Sequence, residues 1–520
     1  MCKRVADVAR SAVWLVGALL VPMTAHARWW TDAPPLPPPD PGDFTIIEVD
    51  TAQELADACG NLQSNQAVVI AAGTYELSGV SDRLIVGQYN ASPISNIQIR
   101  GATGNPADVV ITGAGMLDMT VEYGFQIFTA SDVLIADLSI GSVYYHAIQI
   151  SAAHGAARTR VYHTRLFDSG QQIIKGSGGG SGGGDDVIIE YSELFLTQGA
   201  VNHPHAADSC YMNAIDSTGG WRWIIRDNFI HDIFCQDGTL AGPSVLMWQG
   251  AGDTVVERNL FLNCSRGVSL GLNNGDHSGG IVRNNFIRWD PSAAYAVDVA
   301  IYTESSGSEI LHNTILTHGK YTPMGPVAVE VRYAGTTGVL VQSNLMDAGV
   351  LGRDSANPTE LDNITNASPS WFVDETSGDL HLTTAAGAAI DQVNRHQDAM
   401  DDFDGNGRPT AAGEADIGAA ELGAVAADGG PTIDGGRDDG AGPTLDGGRD
   451  GGGGDSSVPD GDLDSPGDAS PKDGELTSGC GCGPGRGSFG VWALFFVLLA
   501  RVRRGRSRRP AASPQDEGEE

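Results

Sequence analysis

The chain has 520 residues, 70 of them glycine, and a formal net charge of −34 from 65 acidic against 31 basic side chains. That length exceeds one ordinary compact domain, but not an elongated repeat architecture in which each unit touches only its neighbours. The acidic excess argues against nucleic acid as a partner. Much of it falls after Gly423, where Asp alternates with Gly, and reads as a solvated linker rather than a binding face.

Residues 1–27 read as a secretory signal peptide: Lys3, Arg4 and Arg10, the apolar run Ala12 to Val21, then Ala25-His26-Ala27 as a cleavage site. The run is too short to span a bilayer, so export is expected. Residues 28–43 carry the Pro-rich run Pro34 to Pro41, expected to act as a stiff spacer. A main domain over 44–423 follows. Thr51-Ala52-Gln53-Glu54 is a capping-box pattern, and with Leu55, Ala56 and Ala58 it predicts a short capping helix. Ala67 to Ile70 and then Ala71 to Tyr75 predict a strand, a turn and a second strand.

From there to about residue 350 the sequence repeats imperfectly. One half of each unit reads apolar-x-apolar-x-x-Asn-x-apolar, as in Val255 to Phe261, Ile281 to Ile287, Ile310 to Ile315 and Leu340 to Leu345. The other half is an alternating strand, as in Ala147 to Ile150, Val268 to Leu272 and Val327 to Arg332. A spacing of roughly 20–35 residues suits a coiled solenoid. An up-and-down sandwich gives no reason for Asn to recur at one phase. Stacked Asn at a bend does, since its side chain can bond the next coil and tolerates a left-handed turn.

Aligning the alternating strands by their inward apolar positions predicts an outward column of Gln149, Lys175, Asp216, Gln249 and Gly271, then Tyr302 or Glu304, then Glu330 or Arg332. Coils about 4.8 Å apart would let such a column address successive residues of an extended sugar chain. Lys175 ends an apolar strand just before the glycine run Gly178 to Gly184. His203-Pro204-His205-Ala206-Ala207-Asp208, leading to Asn213 and Asp216, gathers groups that orient a sugar, ligate a metal or act as acid. No zinc-type spacing is present, so no metal is specified. His146, His163, His231 and His277 read as turn or rim residues, and Trp248 as a sugar platform or a core residue. Cys59, Cys210, Cys235 and Cys264 read as buried small apolar groups rather than bridges, although the last three could meet on successive coils. Asp402-Phe403-Asp404-Gly405-Asn406-Gly407 reads as a terminal turn rather than a calcium loop.

On these residues the segment 44–423 resembles the bacterial right-handed parallel β-helix proteins, the superfamily of pectate lyases and chondroitinase-B/alginate-lyase-like enzymes. Thr51 to Tyr75 resembles their amino-terminal cap. Asp402 to Pro409, with Asp416 to Glu421, resembles their closing segment. Ile173-Ile174-Lys175-Gly176-Ser177 resembles the lysine-bearing segment of chondroitinase-B-like lyases, with Gln171 and Gln172 where that family has acidic calcium ligands. The resemblance implies an all-β right-handed parallel β-helix and a lyase that removes the proton beside a uronate carboxylate. Such a reaction needs a base, a cation and an acid. It implies Lys175 as base, Arg332 or Arg266 holding the carboxylate, and His203, His205, Asp208 and Asp216 as further catalytic groups. Gln149, Asn213, Gln249, Tyr302, Glu304 and Glu330 are then substrate-binding residues. No cofactor is specified; Ca2+ is the one the resemblance admits. The alternatives are a glycoside hydrolase using Asp208 and Asp216, or a non-catalytic glycan-binding or adhesion β-helix.

Beyond the domain, 424–478 is a Gly/Asp/Pro stretch that cannot bury a core and is expected to be disordered. Residues 479–510 hold Gly479-Cys480-Gly481-Cys482-Gly483, the apolar run Phe489 to Ala500 and an arginine cluster, and 511–520 form a polar tail. This order resembles the myxobacterial carboxy-terminal sorting signal. The partners expected are an acidic polysaccharide and the cell envelope, for a monomer anchored at the outer surface or released.

Overall fold

A computed structural model describes residues 33–423, apart from 90, 179–183, 273–276, 293 and 321–324. The expectations for 1–27 and 424–520 lie outside the described residues. Among the described residues, no helix is long and apolar enough to cross a membrane.

The chain winds into a right-handed parallel β-helix whose coils each contribute one strand to three parallel sheets, here called A (12 strands), B (10) and C (10). One coil runs Ala130–Ala136 in A, Ser139–Val143 in B and His146–Ile150 in C; the next repeats the order with Ala157–Tyr162, Arg165–Ser169 and Ile174–Ser177. Alternation sends every second side chain inward. In sheet A this stacks Ile135, Val161, Ile189, Ile225, Val256, Val282, Ile310 and Val341 in one register, all fully buried. The repeat read from sequence as two halves is therefore three strands, because the Asn-containing frame crosses from sheet A into sheet B.

That Asn is the hinge of each coil. The Oδ1 of Asn259 accepts the backbone and side-chain N–H of Asn228, at 3.1 and 3.0 Å. The same pattern passes through Asn285, Asn313, Asn344 and Asn363, and backward through Ser192 to Thr164. The left-handed backbone, however, falls on the residue before the ladder position: Tyr191, Asp227, Arg258, Asn284, His312, Ser343 and Asp362 have φ between +49° and +55°. The side chain that makes the ladder and the residue that makes the bend are neighbours, not one residue.

The amino-terminal end is closed by the helix Ala52–Gly60, whose Leu55 and Cys59 are buried. Thr51 Oγ1 accepts the Glu54 amide at 3.2 Å, and Glu54 reaches back to the Asp50 amide at 3.1 Å, one residue earlier than a standard box. The described part of the Pro-rich run does not stand free: Arg100 donates to the carbonyls of Pro37 and Leu36 at 2.6 and 3.3 Å, and Tyr162 donates to that of Pro34.

The carboxy-terminal segment lies over sheet B. Phe229, Leu260, Phe286 and Leu345 point outward there and form a second core with Phe372, Leu380, Leu382, Phe403 and Ile417. Phe286 stacks on Phe403 at 3.8 Å. Arg408 is almost wholly buried; its guanidinium pairs with Glu421 and donates to Asn284 Oδ1 and the carbonyls of Gly418 and Ala419 at 2.9 to 3.0 Å. Asp402 Oδ1 accepts the amides of Asp404 and Asn406 at 3.0 and 2.8 Å, closing a turn on itself.

Cys210 and Cys235 form a disulfide, which corrects the reading of these two as buried apolar groups; Cys59 and Cys264 are buried thiols. Pairing depended on two loops being brought side by side, which spacing alone does not reveal.

Two outcomes are expected from this packing. Asn285→Ala strips two donors of their acceptor and should cost about 2–4 kcal/mol, read as a lower urea midpoint; an unchanged midpoint would mean the ladder adds nothing to stability. His381 lies 2.6 Å from Asp379 and 3.0 Å from Asp404. Burial alone would lower its pKa, but the two carboxylates outweigh that and push it up to about 10. A pKa raised above the unfolded value stabilises fully below about pH 6.5, and that contribution is lost as pH climbs through the folded value. Amide protection in 364–423, corrected for the base catalysis of exchange itself, should therefore fall between pH 7 and 10, and His381→Gln should flatten that fall.

Candidate active site on sheet C

Sheet A carries a laddered row of paired charges on its outer face, and much of sheet B is covered. Sheet C is the face flanked by long connections. Those entering it from sheet B include 196–214, 232–244, 289–300 and 317–326. The disulfide joins the first two of these, so one covalent bond fixes the wall beside the middle coils.

The outward column observed on sheet C is Gln126, Gln149, Lys175, Asp216, Leu246, Ser269, Tyr302 and Glu330. Gln149, Lys175, Asp216, Tyr302 and Glu330 stand where the sequence predicts them. Gln249 and Gly271 do not: both lie past their strand ends with positive φ, at 53° and 87°, and Leu246 and Ser269 take their places. The alignment slipped because each of these strands ends in a turn whose left-handed residue breaks the alternation. Glu304 and Arg332 sit two residues beyond the column.

At its centre Lys175 Nζ donates to Asp216 Oδ2 at 2.7 Å, and the Trp248 indole donates to Oδ1 at 2.9 Å. Asp216 is solvent-inaccessible, while the Lys175 side chain keeps 16% of its surface. The group beside Lys175 is thus a carboxylate, where a base role called for burial or a neighbouring cation. Trp248 was read only as platform or core. Its part in the cluster arises because Thr218 and Trp248 pair across the coil, which places the indole over Asp216. From the preceding coil, Gln149 donates to Ser177 Oγ, on the strand of Lys175, at 2.7 Å.

The connection 196–214 places its residues unequally. His203 is fully buried, with Nε2 against the Tyr144 carbonyl at 2.9 Å and Nδ1 facing the Gln171 amide at 3.4 Å. Burial lowers its pKa and it packs as a neutral wedge. His205 is exposed and its Nδ1 meets the Tyr145 hydroxyl at 3.1 Å; Tyr145 stacks on Tyr123 at 5.3 Å. Asp208 is exposed in the loop, and its amide donates to the His203 carbonyl. Asn213 is buried and donates to the Pro243 carbonyl at 2.6 Å. His146 bonds the Gln172 carbonyl at 2.8 Å, and burial, with Lys175 and His203 near, pushes it down to about 3.

Farther along the column a second polar group collects. Tyr302 donates to Glu304, Glu330 pairs with Arg353 at 3.0 Å, and Arg332 pairs with Asp354 at 2.6 Å. Arg266 pairs with Asp298 at 2.8 Å. Burial raises the Glu330 carboxyl and the Tyr302 phenol. Three coils separate Asp216 from Tyr302 in the column, roughly 14 Å. Arg266 and Arg332 therefore belong to this second group rather than to the shell of Lys175.

No protein-family profile matches the chain, and no curated protein matches it. Among solved structures, pectate lyase Pel9A is similar over 73% of this chain and 96% of its own, with 12% identity and a TM-score of 0.51. An alginate lyase from Paenibacillus sp. str. FPU-7 covers 62% of this chain and 98% of its own at 16% identity, with a TM-score of 0.39. PfbA, a surface adhesin of Streptococcus pneumoniae, covers 61% and 80% at 15% identity, with a TM-score of 0.40. The first of these likenesses is one of fold: the class is the right-handed parallel β-helix.

The Lys175–Asp216 pair makes a stability statement. Lys175→Met leaves a buried carboxylate without its cation and should cost about 3 kcal/mol. Adding Asp216→Asn should return part of that loss, a coupling read from a double-mutant cycle of urea midpoints. Additive losses would mean that the two groups do not interact in solution.

Proposed function

We propose that this protein is an exported, carbohydrate-active β-helix enzyme that cleaves a uronate-containing polysaccharide by β-elimination on sheet C. The observation that carries the reading is Lys175: a lysine, partly open to solvent, held by a buried carboxylate that is itself fixed by an indole, at the centre of a polar column that runs along the coil stack. The ladder spacing suits an extended chain of sugar residues. The likeness in fold to pectate lyase Pel9A supports the scaffold, and the disulfide suits an oxidising compartment.

In this reading Lys175, as an ammonium, neutralises the uronate carboxylate and so acidifies the proton on the adjacent carbon. Asp216 and Trp248 position it. The exposed His205, paired with the Tyr145 hydroxyl, accepts that proton and the phenol returns one to the leaving oxygen. The second polar group binds sugar units farther along. The hydrolase reading is weaker, because Asp216 is closed to solvent and already paired, and Asp208 stands exposed in a loop.

The test is the purified protein against pectate, alginate, chondroitin and dermatan, following ultraviolet absorbance of unsaturated ends together with reducing ends. A rise in both is expected on one substrate, with a loss of about 100-fold or more in His205→Ala and in the folded Lys175→Met/Asp216→Asn variant. Reducing ends without absorbance would replace elimination by hydrolysis, and retention on a polysaccharide with neither signal would make the protein a binder.

A further inference from the structure

On the outer face of sheet A, buried carboxylates are bracketed by arginines. Glu190 lies 2.6 Å from Arg160 and 2.7 Å from Arg226; Glu257 lies 2.5 Å from Arg283 and 3.4 Å from Arg258. Glu309 departs from this rule. Its register neighbours on the coils either side are Ile281 and Leu340, so no cation stands level with it on either adjacent strand. Its Oε2 is buried and has no hydrogen-bond partner. Such an orphaned carboxylate oxygen is costly and calls for an explanation.

What faces it comes from the carboxy-terminal segment. One donor atom each from Glu309, His396 and Asp398 lie within 4.8 Å of one another. His396 Nδ1 accepts the Asp398 amide at 3.1 Å and stands 3.9 Å from Asp398 Oδ2, so an ion there takes Nε2 or displaces that amide from Nδ1. The backbone of Asp398 is fixed in turn by Arg283, which donates to its carbonyl. Two carboxylates and an imidazole converge there.

We propose that Glu309, His396 and Asp398 bind a divalent transition-metal ion, of the Zn2+ or Mn2+ class, that pins the carboxy-terminal segment to sheet A. The imidazole selects against Ca2+, which takes oxygen donors, and the two carboxylates suit a borderline cation at about 2.0–2.2 Å. The ion supplies the positive charge that arginines give to Glu190 and Glu257. It lies on a different face from the Lys175 column and stands apart from the proposed reaction.

The experiment uses the full chain without a histidine tag, stripped with EDTA, and titrates Zn2+ and Ca2+ by calorimetry alongside thermal unfolding. Wild type should bind one equivalent of Zn2+ lost in both His396→Ala and Glu309→Gln, with the unfolding midpoint rising by several degrees on saturation. Glu309→Gln keeps the shape of the side chain, so it remains informative if His396→Ala folds poorly. His154→Ala, on an exposed loop of another face, should bind as wild type. Absence of Zn2+ binding in wild type, or equal binding in wild type and Glu309→Gln, overturns the proposal, as does Ca2+ binding as tightly as Zn2+.

Discussion

The buried amide ladder at the bend from sheet A to sheet B is the constraint on which the rest of this structure depends. A coil in a parallel β-helix can slide or rotate relative to its neighbour unless something fixes its phase. Here each Asn accepts from the preceding coil, donates back to a carbonyl of that coil and donates onward to the Asn of the next, as Asn285 does with Asn259, Val256 and Asn313. A slip of one residue would bury several unpaired amide groups at once. The inward Ile and Val stack and the outward column on sheet C then inherit a common phase, which is what lets Lys175 meet Asp216 at all.

The same division explains what could be read from the chain before its structure. The recurring Asn, the capping helix and the closing segment are local patterns or recur at one phase of the coil, and each appeared in its expected place. Lys175, Asp216, Tyr302 and Glu330 were legible because they lie within strands whose alternation is intact. The column was lost at Leu246 because the strand Val245–Trp248 is followed at once by Gln249 in a left-handed turn, and polar character there drew the register forward. The disulfide and the Glu309–His396–Asp398 cluster join segments through loops whose paths no pattern encodes. The roles of Trp248 and Tyr145 belong to the same category: each depends on a neighbour from another coil.

The three faces of the solenoid have been put to different uses by one rule, that every outward side chain must find a partner on the next coil or from a segment laid across it. Sheet A solves this with alternating Glu and Arg, sheet B with an apolar surface that the carboxy-terminal segment covers, and sheet C with hydrogen-bonded polar groups. On sheet C the partners leave Lys175 in contact with solvent beside long connections.

Because almost every contact joins one coil to the next, the molecule is also a graded mechanical element. Pulled from its carboxy-terminal end, it would first shed the layer over sheet B and then release strands coil by coil, each step short and reversible. The Cys210–Cys235 bond interrupts that sequence. The 25-residue separation it spans cannot lengthen under load, so the wall beside Lys175 would be bypassed as a knot of fixed size while the coils around it paid out.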